Sequence, residues 1–81
     1  MKAEDIKKKI AEIASLFGFE YNGKEGNVDP CYIAETNSYE FLLYYDGNEI
    51  TVYDIDSVMK APFIDGKSLN EVADSLIITE M

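Results

Sequence analysis

The chain has 81 residues with 47% hydrophobic side chains, and its 16 acidic and 7 basic side chains give a formal net charge of −9. A chain of this length hides only about 60% of its unfolded surface and supports one modest core, so we expect a single compact domain over residues 1–81. The charge repels phosphate backbones and anionic lipid, and it attracts basic surfaces. Direct binding to nucleic acid or to a membrane is therefore disfavoured.

The single cysteine, Cys31, excludes an intramolecular disulfide. Small secreted domains usually need disulfides, so this composition favours a reducing compartment. No apolar run approaches the length that spans a bilayer, and the N-terminus lacks the apolar core of a signal peptide. We therefore expect a cytoplasmic protein.

An amphipathic helix is predicted at the N-terminus, over residues 3–17, and is expected to end before Gly18. The apolar residues at helical spacing are Ile6, Ile10, Ile13 and Phe17. Residues 18–29 contain three glycines and two asparagines without a sustained period. This composition predicts a loop.

Three antiparallel strands are predicted in the middle of the chain, over residues 31–36, 39–45 and 49–55. Asp46, Gly47 and Asn48 indicate a tight hairpin between the second strand and the third. Any two-residue loop drawn from these positions puts Phe41 on the same sheet face as Val52, and likewise aligns the other apolar residues of both strands. The opposite face then carries Glu40, Leu42, Tyr44, Glu49, Thr51 and Tyr53.

Two further helical segments are predicted towards the C-terminus. Residues 56–60 are expected to form a helical turn that ends before Pro62, and Ser68 with Glu71 forms a capping box that begins a C-terminal helix. The predicted fold is α+β, with an N-terminal helix, a three-stranded antiparallel sheet and a C-terminal helix that covers, with the first, the Phe41 face. An alternative places the C-terminal helix, or a second copy of the chain, over the Tyr44 face.

Histidine, the side chain most often used as a general acid or base, is absent from the chain. Without histidine the chain lacks the commonest general base, the usual relay partner of a nucleophilic serine or cysteine, and the nitrogen ligands of transition metals. Ala61 with Gly66, Lys67 and Ser68 matches only the loosest spelling of a phosphate-binding loop. The intervening segment includes Pro62, which has no amide to offer a phosphate. We therefore predict no enzymatic activity and no nucleotide cofactor.

Two remaining candidates for chemistry also favour structural roles. Asp54 and Asp56 share a strand face, but two ligands do not make a metal site, so we predict no metal. Cys31 has no histidine or second cysteine to lower its pKa, and its place at a predicted strand start suits a small buried apolar residue.

The negative charge is concentrated in the predicted sheet. Residues 1–24 carry a net charge of +1 and residues 60–81 a net charge of −2, whereas residues 25–59 hold eight acids and no base. These acids are Glu25, Asp29, Glu35, Glu40, Asp46, Glu49, Asp54 and Asp56. A field of one sign is selective for a basic groove. An alternative is that the acids only keep the domain soluble and protect the sheet edges from aggregation.

We predict that this acidic sheet binds a partner protein. Tyr44 and Tyr53 share the outward face with Glu40 and Glu49, and tyrosine is a common interface anchor because it buries a large area at low entropic cost. The predicted partner-binding residues are Glu35, Glu40, Tyr44, Asp46, Glu49, Tyr53, Asp54 and Asp56.

These features favour a non-enzymatic inhibitor that occupies a cationic nucleic-acid site on an enzyme, with its carboxylates where phosphates would lie. In size, acidity and lack of histidine the chain resembles accessory proteins of phages and mobile elements, including anti-CRISPR and anti-restriction inhibitors. One alternative is a structural or adaptor subunit, or a homodimerising domain, whose tyrosine and leucine face packs in a permanent assembly. Another is an immunity-type inhibitor of a basic toxin.

Overall fold

The computed structural model describes residues 2–13 and 15–80 of the chain. Its five strands form one sheet in the order β4-β3-β2-β1-β5, and each neighbouring pair is antiparallel. In chain order the elements are α1 (Ala3–Ile13), β1 (Phe17–Tyr21), β2 (Lys24–Ile33), β3 (Ser38–Tyr45), β4 (Asn48–Val52), α2 (Ile55–Lys60), α3 (Leu69–Val72), a 3-10 turn (Ala73–Ser75) and β5 (Ile77–Glu80).

The fold class is α+β, but the predicted three-stranded sheet between an N-terminal and a C-terminal helix is wrong. The sheet has five strands because residues near both ends of the chain that were not predicted as strands form β1 and β5. At the N-terminal side, α1 ends at Ile13 and Phe17 begins a strand, while Ala14 within the predicted helix lies outside the described residues. Phe17, Phe19 and Tyr21 alternate with Gly18 and Glu20 along β1, which is the period of a strand.

The segment predicted as a loop over residues 18–29 is instead the β1–β2 hairpin. Asn22 and Gly23 form its turn with φ values of 55° and 77°, the left-handed backbone that a tight hairpin of this type requires. The pairing runs from Tyr21 opposite Lys24 to Phe17 opposite Val28. The asparagine–glycine pair therefore marks a hairpin turn rather than an extended loop.

The predicted C-terminal helix begins at the expected residue but is short. Ser68 Oγ accepts from the backbone amide of Glu71 at 3.3 Å, and Glu71 Oε1 accepts from the backbone amide of Ser68 at 3.1 Å, which confirms the capping box. The helix ends at Val72, and after the 3-10 turn the chain extends into β5, which pairs Ile78 with Phe19. The segment Ile77–Glu80 is rich in β-branched residues, which favour strands over helices.

The β3–β4 hairpin and its register are as predicted. Asp46 and Gly47 have φ values of 46° and 85° and form a two-residue turn, so Phe41 pairs with Val52 and Tyr44 pairs with Glu49. The short helix α2, Ile55–Lys60, also forms as expected and is followed by Ala61 in an extended conformation before Pro62.

All the helices contribute to one apolar core on a single face of the sheet. The register puts the buried strand residues on this face, where Phe19 packs so closely over Gly26 that an added Cβ there would lie 2.4 Å from Phe19 Cζ. Tyr45 is fully buried and its hydroxyl donates to the Tyr21 carbonyl at 2.8 Å. The core includes Ile6, Ile10, Phe17, Phe19, Val28, Leu43, Tyr45, Val58, Ile64 and Leu69.

Candidate functional site

The helices leave the other face of the sheet uncovered, and we call this surface the open face. Its side chains alternate with those of the core, and apart from Gly18 none of its residues is buried and none belongs to the core cluster. The C-terminal helix does not cover the Tyr44 face, because α3 packs in the core on the opposite side. The open-face residues are Gly18, Glu20, Glu25, Asn27, Asp29, Cys31, Ile33, Ser38, Glu40, Leu42, Tyr44, Glu49, Thr51, Ile77, Thr79 and Glu80.

The open face carries charge of one sign. Its carboxylates are Glu20, Glu25, Asp29, Glu40, Glu49 and Glu80, and the five strands contain one base, Lys24. Lys24 alternates with Glu25 and so projects towards the core side of the sheet, where its Nζ lies 3.2 Å from Asp46 Oδ2. A hydrogen bond to Asp46 and the charge of Asp46 raise the pKa of Lys24. This lysine is therefore already paired and does not neutralise the negative charge of the open face.

The cross-strand pairs place like charges together on this face. Glu20 of β1 lies directly opposite Glu25 of β2. Opposed like charges destabilise a sheet by roughly 0.2–1 kcal/mol relative to neutral pairs. The next open-face row contains Asn27 opposite Tyr44, which in turn lies opposite Glu49. An aromatic ring is thus flanked by polar and acidic groups.

Of the predicted partner-binding residues, the structure brings three together on the open face. Glu40 and Tyr44 share β3, and Glu49 lies opposite Tyr44 on β4. Glu35 lies in the turn between β2 and β3 and is exposed. Asp46 lies in the β3–β4 turn, where it pairs with Lys24 instead of facing outward with the others.

The other three predicted residues lie beyond the end of β4. Tyr53 is 69% exposed just after this strand. Asp54 caps α2, because its Oδ1 accepts from the Ser57 amide at 2.8 Å. Asp56 lies 2.6 Å from Lys7 Nζ, and this hydrogen bond and the lysine charge lower the pKa of Asp56. These two carboxylates therefore already have local roles in capping α2 and in joining it to α1.

Besides Glu80 of β5, sequence reasoning missed three carboxylates of the open face as site residues, namely Glu20, Glu25 and Asp29. They lie on β1 and β2, in the segment predicted as a loop, where no sheet face was assigned. The signal that identifies them is the Asn22–Gly23 turn with alternating residues on both sides. Once the hairpin is recognised, its parity places all three acids on one face.

Two of the concave regions formed by described residues lie against the sheet. A hollow of about 190 Å³ opens on the open face, with walls that include Glu25, Asn27, Tyr44 and Thr79 around Gly18. The second, an apolar groove of about 200 Å³, lies on the helix side of the sheet. Its lining residues are Ile10, Ala11, Pro30, Tyr39, Phe41 and Ile55.

The described residues contain one free thiol and no acidic cluster suited to a metal ion. Cys31 is a free thiol on the open face, and desolvation, followed by the charges of Asp29 and Glu40, raises its pKa. A raised pKa keeps the thiol protonated and weakly nucleophilic. Within residues 2–13 and 15–80, no three acidic or cysteine side chains are grouped so as to hold a metal ion.

Among the described helices, none combines the length and the apolar character needed to cross a membrane. Comparison of the chain with models of known families, with curated proteins and with solved structures finds no match.

Proposed function

We propose that the protein is a non-enzymatic inhibitor that occupies a basic nucleic-acid-binding site on a target protein. The observation that supports this function is the open face, which among the described residues carries six carboxylates and no base and has no helix over it. A partner with a cationic groove is attracted by this field, whereas proteins with neutral or acidic surfaces are not.

The spread of the carboxylates favours a broad surface over a point ligand. Strands lie about 4.8 Å apart and alternate residues of one strand about 7 Å apart, so the acids are distributed in two dimensions across the face. A phosphate backbone likewise presents repeated, separated charges to the protein that binds it. A groove lined with lysine and arginine that accepts a nucleic acid therefore presents charges complementary to the open face.

The proposal places the protein in the cytoplasm, as an accessory protein of a phage or another mobile element. The free Cys31 thiol is compatible with a reducing compartment. Inhibition by occupancy needs no catalytic group, which agrees with the protonated thiol and the absence of histidine.

The experiment compares two charge-reversal variants with equal net charge. In the face variant, Glu25→Lys, Glu40→Lys and Glu49→Lys remove carboxylates of the open face. In the control variant, Glu4→Lys, Glu12→Lys and Asp74→Lys change exposed acids outside the strands. Each immobilised protein is incubated with bacterial lysate at low and at high ionic strength, and bound proteins are identified.

We expect the wild-type and control proteins to retain a nucleic-acid-binding protein at low salt, and added duplex DNA to displace it. High salt should release it, because exposed charges are screened within a few ångströms near 1 M salt. The face variant should retain none of it. Retention of no nucleic-acid-binding protein, or equal retention by the face and control variants, would overturn the proposed function.

A homodimerising or structural domain is the second candidate, and exposed tyrosines favour it. Tyr32 and Tyr39 are 56% and 41% exposed, and their ring centroids lie 5.5 Å apart in an edge-to-face arrangement next to the apolar groove. Aromatic pairs of this kind are common interface anchors. This candidate predicts a dimer that persists in high salt and that Tyr32→Ser with Tyr39→Ser dissociates, as measured by light scattering after size exclusion.

A further inference from the structure

We propose that the hollow in the open face binds the guanidinium group of an arginine side chain presented by the partner. This inference rests on the proposed function and deepens it, because it names the chemical group that anchors the partner. Residues that line the hollow include Gly18, Glu25, Asn27, Tyr44, Thr79 and Glu80.

Gly18 lets β5 pack closely against β1 at the floor of the hollow. At Gly18 an added Cβ would lie 3.0 Å from Thr79 Oγ1 and 3.2 Å from Glu80 Cβ, so this position takes no larger residue without movement of β5. The β1–β5 register also shifts between Gly18 and Phe19, which interrupts the regular surface there. The floor is therefore backbone, and neighbouring strands supply the walls.

The size of the hollow suits the end of one side chain. Its volume of about 190 Å³ equals that of about six water molecules at roughly 30 Å³ each. Sites for drug-sized ligands usually measure about 300–1,000 Å³. The hollow is therefore smaller than the usual site for a drug-sized ligand, and its size suits the head of a long side chain.

The wall chemistry suits a planar cation. Glu25 and Asn27 are alternate residues of β2 and project to the same face, and Asn27 lies opposite Tyr44. Guanidinium offers donors in a rigid plane, so a carboxylate and an amide oxygen accept from its edge while an aromatic ring stacks on its face. Glu20, opposite Glu25, adds a second negative charge beside the site.

Competing cations match these walls less well. A lysine ammonium is a point charge that neither stacks in a plane nor forms a bidentate pair with a carboxylate. A divalent metal needs several oxygen ligands within a short radius, and the described residues contain no group of three acidic side chains that provides them. Arginine is therefore the occupant that uses both the charge and the ring of the hollow.

The probe is a blocked Gly-Gly-Arg-Gly-Gly peptide, titrated into the full chain and followed by amide NMR shifts. Peptides with citrulline or lysine in place of arginine are titrated in parallel, because citrulline keeps the shape of arginine without its charge. We expect saturable shifts at Gly18, Glu25, Asn27, Tyr44 and Thr79 with the arginine peptide. Lysine should bind at least about threefold more weakly, and citrulline should cause no saturable shift.

Single variants localise the binding. Glu25→Gln should weaken the arginine peptide at least about fivefold, and Tyr44→Leu about two- to fivefold. Glu40→Gln is the matched control, since it removes one charge from the same face, and it should leave peptide affinity within about twofold. Glu40 lies opposite Cys31, four residues along β3 from Tyr44. The spectra of each variant also report whether its fold is intact.

Equal binding of the lysine or the citrulline peptide, or equal losses from Glu25→Gln and Glu40→Gln, would overturn the arginine site. Small shifts spread over the whole open face without saturation would do so as well. The proposed function is tested separately by charge reversal and capture of a nucleic-acid-binding target. Loss of that capture in the face variant alone, combined with a negative peptide titration, would retain the inhibitor and remove the arginine site.

Discussion

Glu20 and Glu25 lie directly opposite each other on β1 and β2, and no base of the strands shares their face. Such a pair reduces the stability of the sheet, and a lysine at either position would relieve the repulsion. A surface whose acids served solubility alone would gain from mixed signs of charge. At this pair, the binding surface that we propose and the stability of the sheet oppose each other.

The first prediction concerns this pair. Glu20→Gln and Glu25→Gln should each raise the free energy of unfolding by about 0.2–1 kcal/mol, because each removes the same repulsion. The double variant should gain less than the sum of the two single variants. Urea unfolding at low salt measures all four proteins, and strictly additive effects would show that the two carboxylates do not interact.

The second prediction concerns the close packing of Gly26. Gly26→Ala should destabilise the protein by about 1–3 kcal/mol, because the new Cβ would lie 2.4 Å from Phe19 Cζ and 2.9 Å from the Tyr44 carbonyl oxygen. Gly23→Ala is the comparison: it has open space but a φ of 77°, so its cost is the backbone strain of about 1–2 kcal/mol. Chemical unfolding measures both, and a neutral Gly26→Ala would contradict the β1–β2 register.

The third prediction concerns the buried hydroxyl of Tyr45. Tyr45→Phe removes the donor to the Tyr21 carbonyl and should lower the free energy of unfolding by about 0.5–1.5 kcal/mol. Tyr39→Phe, at a 41% exposed position, should change it by less than about 0.5 kcal/mol. Equal effects from the two substitutions would argue against a role for the Tyr45 hydrogen bond.

The fourth prediction is a pH dependence that arises from Asp56. The hydrogen bond from Lys7 and the charge of Lys7 lower the pKa of Asp56 below its ordinary value of 3.8, so the folded state favours the ionised carboxylate. The resulting stability is present above the unfolded pKa and is lost as pH falls through the folded pKa.

Asp56→Asn and Lys7→Met should each lower stability near neutral pH, and the difference from the wild type should shrink as pH falls from about 5 towards 2. The effect should be small, because the side chains of Lys7 and Asp56 are 45% and 64% exposed. Urea unfolding at several pH values is the measurement. A difference that stays constant across this range would exclude the ion pair as its cause.

Several features of the protein could be predicted from local sequence patterns alone. The two-residue turn at Asp46 and Gly47 sets the parity of β3 and β4 because side chains alternate strictly along a strand. The capping box at Ser68 depends on residues three apart, so its pattern is visible without any tertiary contact. The concentration of acids between residues 25 and 59 is likewise a property of the sequence.

Phe17 shows why the first hairpin was not predicted. Its spacing from Ile6 and Ile10 continues a helical stripe, yet it also alternates with Phe19 and Tyr21 as a strand residue does. The helix stops earlier, and Phe17 enters the core from β1. The periodicity is compatible with both structures, so only packing against the rest of the core distinguishes them.

The sequence alone established the acidity, the β3–β4 register and the capping box at Ser68, because each depends on neighbouring residues or on composition. Only the tertiary structure decided that Ile77–Glu80 is a strand and that Glu20, Glu25 and Asp29 join Glu40 and Glu49 on one uncovered face. The strand β5 exists through its pairing with β1, more than fifty residues away in the chain. Such a pairing forms because distant apolar side chains are buried together, and no local pattern of a four-residue segment specifies its partner.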